Sequence, residues 1–299
     1  MMDFLAAAIR IATPLLLAAL GGILSERAGV FAVGLEGMML AGAFAAAVAT
    51  WASGSDVAGI GAALAGGAIV GLIVAVVAVR FRADQMVSGL AANILAAGLT
   101  SYLLRAGGGR APSIHLDPLP NWPLPLLADI PVLGPLLFNH PPLTYLAAAG
   151  CVGLTWWLGR TQAGLTLRAT GENPEAVFAA GANPQRTRLL AVVACGAVAG
   201  LGGAVLSLQQ VGTFTDGMTG GRGYLALASL IVGRWTPAGA AAACLVFGAA
   251  DAFGLRLQTF GLPASSYVLQ MAPYVIALLV LSGLGRSAKL PAAIGQALD

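Results

Sequence analysis

Residues 159–189 read GRTQAGLTLRATGENPEAVFAAGANPQRTRL, a polar interval in a chain that is otherwise almost continuously apolar. Within it, Asn173-Pro174-Glu175 predicts a helix start. Asn is the N-cap that accepts an orphan backbone N–H, Pro occupies the first helical position where no N–H is needed, and the acid sits beside the positive end of the helix dipole. Ala176, Val177, Phe178, Ala179 and Ala180 continue the helix to Gly181, which can take a positive φ and stop it. Asn183-Pro184 then reads as a bar to any restart, so the expected helix runs from Glu172 to Gly181. Arg160, Arg168, Arg186 and Arg188 flank it, and a four-arginine loop over 160–188 between two hydrophobic spans belongs on the cytoplasmic face. Such a helix either tidies a connection or docks a cytoplasmic partner, and the length of the loop favours docking.

Outside this interval the composition fixes the class. Of 299 residues 58% are hydrophobic and 9% charged, with a mean hydropathy of +0.86. A soluble fold would have too little polar surface to cover itself, so the expectation is an all-α, polytopic helical membrane protein. The segments are too long and unalternating for barrel strands. The net charge of +3 comes from arginines and a single lysine, Lys289, placed mostly at segment ends. It reports topology and gives no sign of nucleic-acid binding. Gly, at 41 residues, is about twice its usual share, as expected where membrane helices approach closely. Cys151, Cys195 and Cys244 lie singly in apolar segments, and His115 and His140 sit far apart in one loop, so no metal or redox spacing occurs.

Read in order, the spans are Phe4–Leu24, taken as retained because Arg10 interrupts it, then a glycine-broken run containing Glu36, then Val57–Val79, ending at Arg80 and Arg82. A fourth covers 83–104. From 106 to 141 the chain is rich in Pro and Gly and poor in basic residues, which reads as an external loop. Thr144–Leu158 leads into the cytoplasmic loop, and Leu190–Leu208 leaves it. A short half-helix bounded by Gly223 and by Gly233–Pro237 precedes a span over Ala238–Phe253, and Tyr267–Leu281 comes last. Eight long windows and two short discontinuous segments give about 8–10 membrane segments. The short segment at 220–237 echoes the one around Glu36, and paired glycine-interrupted segments in two halves point to a midplane solute path. Close helix packing explains the same glycines.

The candidates for lining that path are Glu36, Gln85, Asn93, Gln209 and Gln210. A carboxylate at membrane depth must face protein or water, so Glu36 either serves the path or is satisfied by the backbone N–H groups of a broken helix. Gln85, Gly89 and Asn93 share one helical face. That stripe is either interhelical hydrogen-bonding glue or the wall of a polar pathway.

The stretches ATPLLLAALGGILSERAGVFAVGLEGMMLAGAF (12–44), RADQMVSGLAANILAAGLTSYLL (82–104), RATGENPEAVFAAGAN (168–183), GGRGYLALASLIVGRW (220–235) and YVLQMAPYVIALLVL (267–281) cover much of the chain. In them it resembles the transmembrane permease subunits of bacterial ABC importers of the ribose and branched-chain amino acid type, in the simple-sugar and nucleoside branch. The resemblance implies a single permease domain over 1–299 in the bacterial inner membrane. It implies that GENPEAVFAAGAN is the coupling helix that inserts into an ABC ATPase subunit. It further implies an external substrate-binding protein or lipoprotein, and a second permease subunit. Many such permeases read VVNIGLEG where this chain has Val30–Gly37, so the polar role of the segment falls to Glu36.

The residues agree on a negative point. No GxxxxGK[ST] loop occurs, so the expectation is that the chain needs no cofactor of its own and that ATP is bound by a partner subunit. The competing class is an ion-coupled secondary transporter using Glu36 or Asp251. An enzyme is disfavoured because no Ser/His/Asp, paired-His or HExxH arrangement lies in a span. Gln, Asn, Ser and Thr along the path would suit nucleosides, sugars and small amides alike, and the family branch leans toward nucleosides.

Overall fold

The computed structural model describes residues 2–106, 116–123, 138–259 and 290–296, with the single positions 134, 271 and 275. The helices are α1 (Met2–Arg27), α2 (Leu35–Ser53), α3 (Asp56–Ala75), α4 (Gln85–Ala106), α5 (Pro142–Arg160), α6 (Gln162–Glu172), α7 (Pro174–Ala179), α8 (Pro184–Ala204), α9 (Arg222–Val232) and α10 (Pro237–Thr259). π-helical turns extend α3 over Val76–Arg80 and α8 over Val205–Val211. Trp122–Pro123 and Asn139–His140 pair antiparallel as strands β1 and β2. In lipid a backbone polar group has no solvent partner, so apolar runs of this length must close their own hydrogen bonds as helices.

Among the described residues six helices are long and apolar enough to cross a membrane: Phe4–Arg27, Leu35–Ser53, Asp56–Arg80, Gln85–Ala106, Pro184–Val211 and Pro237–Leu257. The 19-residue α5 and the 11-residue α9 lie alongside them. The glycine-rich run before Glu36 is a non-helical break, residues 28–34, between α1 and α2, whereas the expected half-helix at 220–237 is α9. The expected last span, 267–281, lies outside the described residues except at 271 and 275, as does most of the loop 106–141.

The centre of the bundle is α8, packed on α1, α2 and α3. From Ala191 to Ala204 glycine and alanine make up most of its buried face. Gly196 and Gly200 meet Ala63, Gly67 and Gly71 of α3, where a methyl group on Gly196 would run into the Gly67 carbonyl. Small residues at four-residue spacing let the backbones touch, which replaces the hydrophobic drive that lipid cannot supply with van der Waals contact. Gly42 of α2 packs against Gly200 in the same way.

Two expectations for the polar interval need correction. It holds a further helix, α6, capped by Thr161, whose Oγ1 accepts from the Gly164 N–H at 3.0 Å. Glu172 closes α6 and is not part of the following helix. Asn183-Pro184 starts a helix and does not bar one. Asn183 Oδ1 accepts from the Arg186 N–H at 3.0 Å and Pro184 takes the first position of α8, so this span begins well before Leu190. The physical reason is the one that opens α7: Pro is excluded from helix interiors but suited to their first turn.

Candidate functional site

In the polar interval, α7 follows the sequence closely. Asn173 Oδ1 accepts from the Ala176 N–H at 3.0 Å, and Pro174 is the first helical residue. The stop is a double hydrogen bond: the Gly181 N–H donates to the Phe178 carbonyl at 2.9 Å and the Ala182 N–H to the Val177 carbonyl at 3.1 Å. This requires a left-handed residue at 181, and Gly181 has φ +85°. Val177 is buried against the bundle. Glu172, Asn173, Glu175, Ala176, Ala179, Ala180 and Gly181 are exposed, and Phe178 is 73% exposed. A cleft of about 630 Å³ lies beside α7, lined by Glu172, Glu175, Phe178, Pro184, Ala293 and Gln296.

Within the spans, Glu36, Gln85 and Asn93 converge on the break between α1 and α2. The Phe31 N–H donates to Gln85 Oε1 at 2.9 Å. The Gly37 N–H donates to Asn93 Oδ1 at 2.8 Å, and Asn93 Nδ2 donates to the Val33 carbonyl at 2.9 Å and to the Tyr224 hydroxyl at 3.0 Å. Gly89 lies between them on the stripe, directly against Val33 and Gly34. The stripe on α4 therefore supplies the partners that the unwound backbone lacks.

Glu36 reaches the other way. Its Oε1 accepts from the Gly221 N–H at 2.8 Å and its Oε2 from the Gly223 N–H at 2.7 Å, both at the N-terminus of α9. It also sits in the first turn of α2, so one carboxylate compensates the positive ends of two helices. Gly223 is needed because a side chain there would collide with the Glu36 backbone. This arrangement matches the alternative in which Glu36 is satisfied by backbone N–H groups. Asp251 of α10 is likewise engaged, 3.9 Å from the Arg222 guanidinium.

The far end of α9 is tied to the same break by residues that sequence reasoning passed over. The Trp235 indole N–H donates to Glu26 Oε2 at 2.5 Å, the Ala32 N–H to Glu26 Oε1 at 3.3 Å, and Arg27 Nε to the Trp235 carbonyl at 2.9 Å. Glu26 is buried, and its place at the end of an apolar span of more than twenty residues was the available signal.

Gln209 and Gln210 lie apart from this group, at the opposite end of α8. Gln209 Nε2 donates to Thr144 Oγ1 at 2.9 Å, while its Oε1 is buried with no hydrogen-bond partner among the described residues. Gln210 Nε2 donates to the Arg10 carbonyl at 2.8 Å. That carbonyl is four residues before Pro14, the proline inside α1, and so lacks its helical donor. Gln210 replaces the missing N–H. Pro14 was the signal for it.

Arg188, expected among the loop arginines, is buried at 2% exposure. Its guanidinium donates to three backbone carbonyls: Ala28 at 3.1 Å, Gln296 at 2.6 Å and Ala293 at 3.0 Å.

Comparison with known proteins adds the family. Residues 4–278 match the family model described as branched-chain amino acid transport system / permease component. The guanosine ABC transporter permease protein NupQ of Bacillus subtilis (strain 168) is 38% identical over 295 residues, covering 95% of this chain and 92% of that protein. The nucleoside ABC transporter permease protein NupC of Lactococcus lactis subsp. cremoris (strain MG1363) is 35% identical over 280 residues, covering 90% and 88%. More distantly, the glucose ABC transporter permease protein TsgB13 of Haloferax volcanii is 29% identical over 276 residues, covering 85% and 70%. No solved structure matches the chain. With six membrane-length helices and a family match over nearly its whole length, the chain belongs to the branched-chain amino acid transport system / permease component family and is a multi-pass protein of the bacterial inner membrane.

Proposed function

We propose that the chain is the permease subunit of an ATP-driven importer of nucleosides, with simple sugars as the second solute class, and that α7 docks on a separate ATPase subunit. The observation that carries this reading is α7 itself. It is a helix too short to persist alone, fixed by a cap at each end, which presents Phe178 at 73% exposure beyond the apolar spans. The reading is supported by the family, whose nucleoside members above are 38% and 35% identical to the chain. ATP binds the partner, an external binding protein delivers solute, and a second permease copy or homologue completes the path. Glu36, Gln85 and Asn93 brace the helices that line that path. The ion-coupled alternative gains nothing from Glu36 and Asp251, since both carboxylates are already engaged.

Throwing a two-state gate from 1:99 to 99:1 takes about 5.5 kcal/mol, which a neutral solute does not provide and nucleotide binding to a partner does. The test is uptake of labelled guanosine into proteoliposomes holding permease and binding protein, with and without ATPase and ATP, with ion gradients collapsed. Uptake is expected only with both. Gradient-driven uptake without the ATPase would overturn the reading.

A further inference from the structure

The C-terminal segment Pro291–Gln296 is a short strap lying against three parts of the cytoplasmic end. Toward α6, the Ala293 N–H donates to the Gly171 carbonyl at 2.8 Å and the Ala292 N–H to Glu172 Oε2 at 3.4 Å. Toward the α1–α2 break, the Gly295 N–H donates to the Gly29 carbonyl at 3.3 Å. The Phe31 ring is packed on Gly295 so closely that a Cβ there would come within 2.9 Å of Phe31 Cε2. Toward α8, Arg188 holds the Ala293 and Gln296 carbonyls with two nitrogens of its guanidinium and the Ala28 carbonyl of the break with the third. Gly29, at φ +91°, admits the guanidinium, since a Cβ there would come within 2.8 Å of it.

Burying a cation whose partners are neutral carbonyls is costly, and a planar guanidinium is the side chain that can reach three acceptors at once. Among the described residues no carboxylate is hydrogen-bonded or ion-paired to Arg188. The position is therefore an expensive way to hold a tail, unless the tail has work to do. Its geometry identifies that work. The Gly171 backbone also presses directly on the Arg27 carbonyl. The strap adds directional hydrogen bonds to that packing contact, so a pull on α6 reaches the break through the strap as well as through packing. The break in turn carries Phe31, Val33, Glu36 and Gly37, the groups that bind α4 and α9.

We infer that the strap Pro291–Gln296, clamped by Arg188, is the tie that carries movement of the cytoplasmic helices to the break between α1 and α2, and that Arg188 is a positioning residue of the transport cycle. The inference rests on the permease reading above. Docking belongs to α7, while the strap serves transmission, so the two fail differently.

The experiment compares wild type, Arg188→Met, Arg188→Lys and a truncation lacking residues 291–299, each reconstituted with ATPase and binding protein. ATPase co-purification, ATP hydrolysis and guanosine taken up per ATP are measured together. Arg188→Met and the truncation are expected to keep co-purification and hydrolysis while uptake per ATP falls about tenfold, within the usual range of intersite coupling. Combining them should add no further loss. Lys, which lacks the fork, should not restore the ratio. A truncated permease with the wild-type ratio overturns the inference. So does loss of ATPase binding, which would make the strap part of the docking face, or failure of both variants to fold, which would make it a folding element. Failure of the permease reading shows elsewhere, as wild-type uptake that needs no ATPase.

Discussion

Two departures from regular helix, the break between α1 and α2 and Pro14 inside α1, draw in different numbers of polar side chains. Between α1 and α2 a whole stretch, residues 28–34, leaves the helix, and it draws in Gln85, Asn93 and Glu26, while Glu36 just beyond it binds α9. In α1 a single proline, Pro14, leaves one carbonyl without its donor, and a single side chain, Gln210, supplies it. At these two places the number of polar side chains recruited follows the number of backbone groups left open. Polarity at membrane depth in this chain is first an answer to backbone geometry, and a solute path must be built on what remains.

That relation can be broken by substitution. The largest effect is expected for Glu36→Leu, which leaves the Gly221 and Gly223 N–H groups without partners and detaches α9 from α2. At about 1–3 kcal/mol for each stranded group, the loss is about 2–6 kcal/mol and should appear as a clear drop in Tm of the detergent-purified permease together with lost uptake. An unchanged Tm would mean that the carboxylate does not hold the two helices.

Gln210→Leu should cost less, about 0.5–1.5 kcal/mol, the net worth of an ordinary hydrogen bond, because its contact with the Arg10 carbonyl is an exposed one. The comparison sharpens in a double-mutant cycle: in a Pro14→Ala background, residue 14 has its own N–H and the cost of Gln210→Leu should vanish. Equal costs in both backgrounds would detach Gln210 from Pro14. Gln209→Leu should be the mildest, within about 1 kcal/mol by the same thermal assay, since it removes the unpartnered Oε1 along with the bond to Thr144. A larger loss would show that Gln209 has a further partner in the membrane.

The sequence made some of this legible. The cap and stop of α7 could be read because Asn173, Pro174 and Gly181 act on their own local backbone. Asn183-Pro184 carries the same cap signal for the start of α8, but Asn-Pro after a helix stop serves equally as a breaker, and only the chain beyond it decides between the two. The stripe Gln85–Gly89–Asn93 showed a face and not its partner, because the partner is mostly main chain, which no residue letter marks. α6 was missed because QAGLTLRATGE is rich in Thr and Gly, poor helix formers. It is held by tertiary contact, with Gly164 against the Trp157 carbonyl and Leu167 buried. Arg188 was counted as a topology charge with Arg186. Residues two apart on a helix point to different sides, so once α8 is seen to begin at Pro184 the two arginines cannot share one environment.

The length of α8 explains how such a cation is tolerated. Pro184–Val211 comprises 28 residues, which at the helical rise is about 42 Å, against about 30 Å of hydrocarbon. A tilt of about 20° shortens its projection by only about 3 Å, so roughly six residues overhang the oily layer. An overhang on the side of the capped start would hold Pro184 to Leu189 at headgroup depth. There Arg188, 2% exposed, would be withdrawn from solvent by protein without being carried into oil.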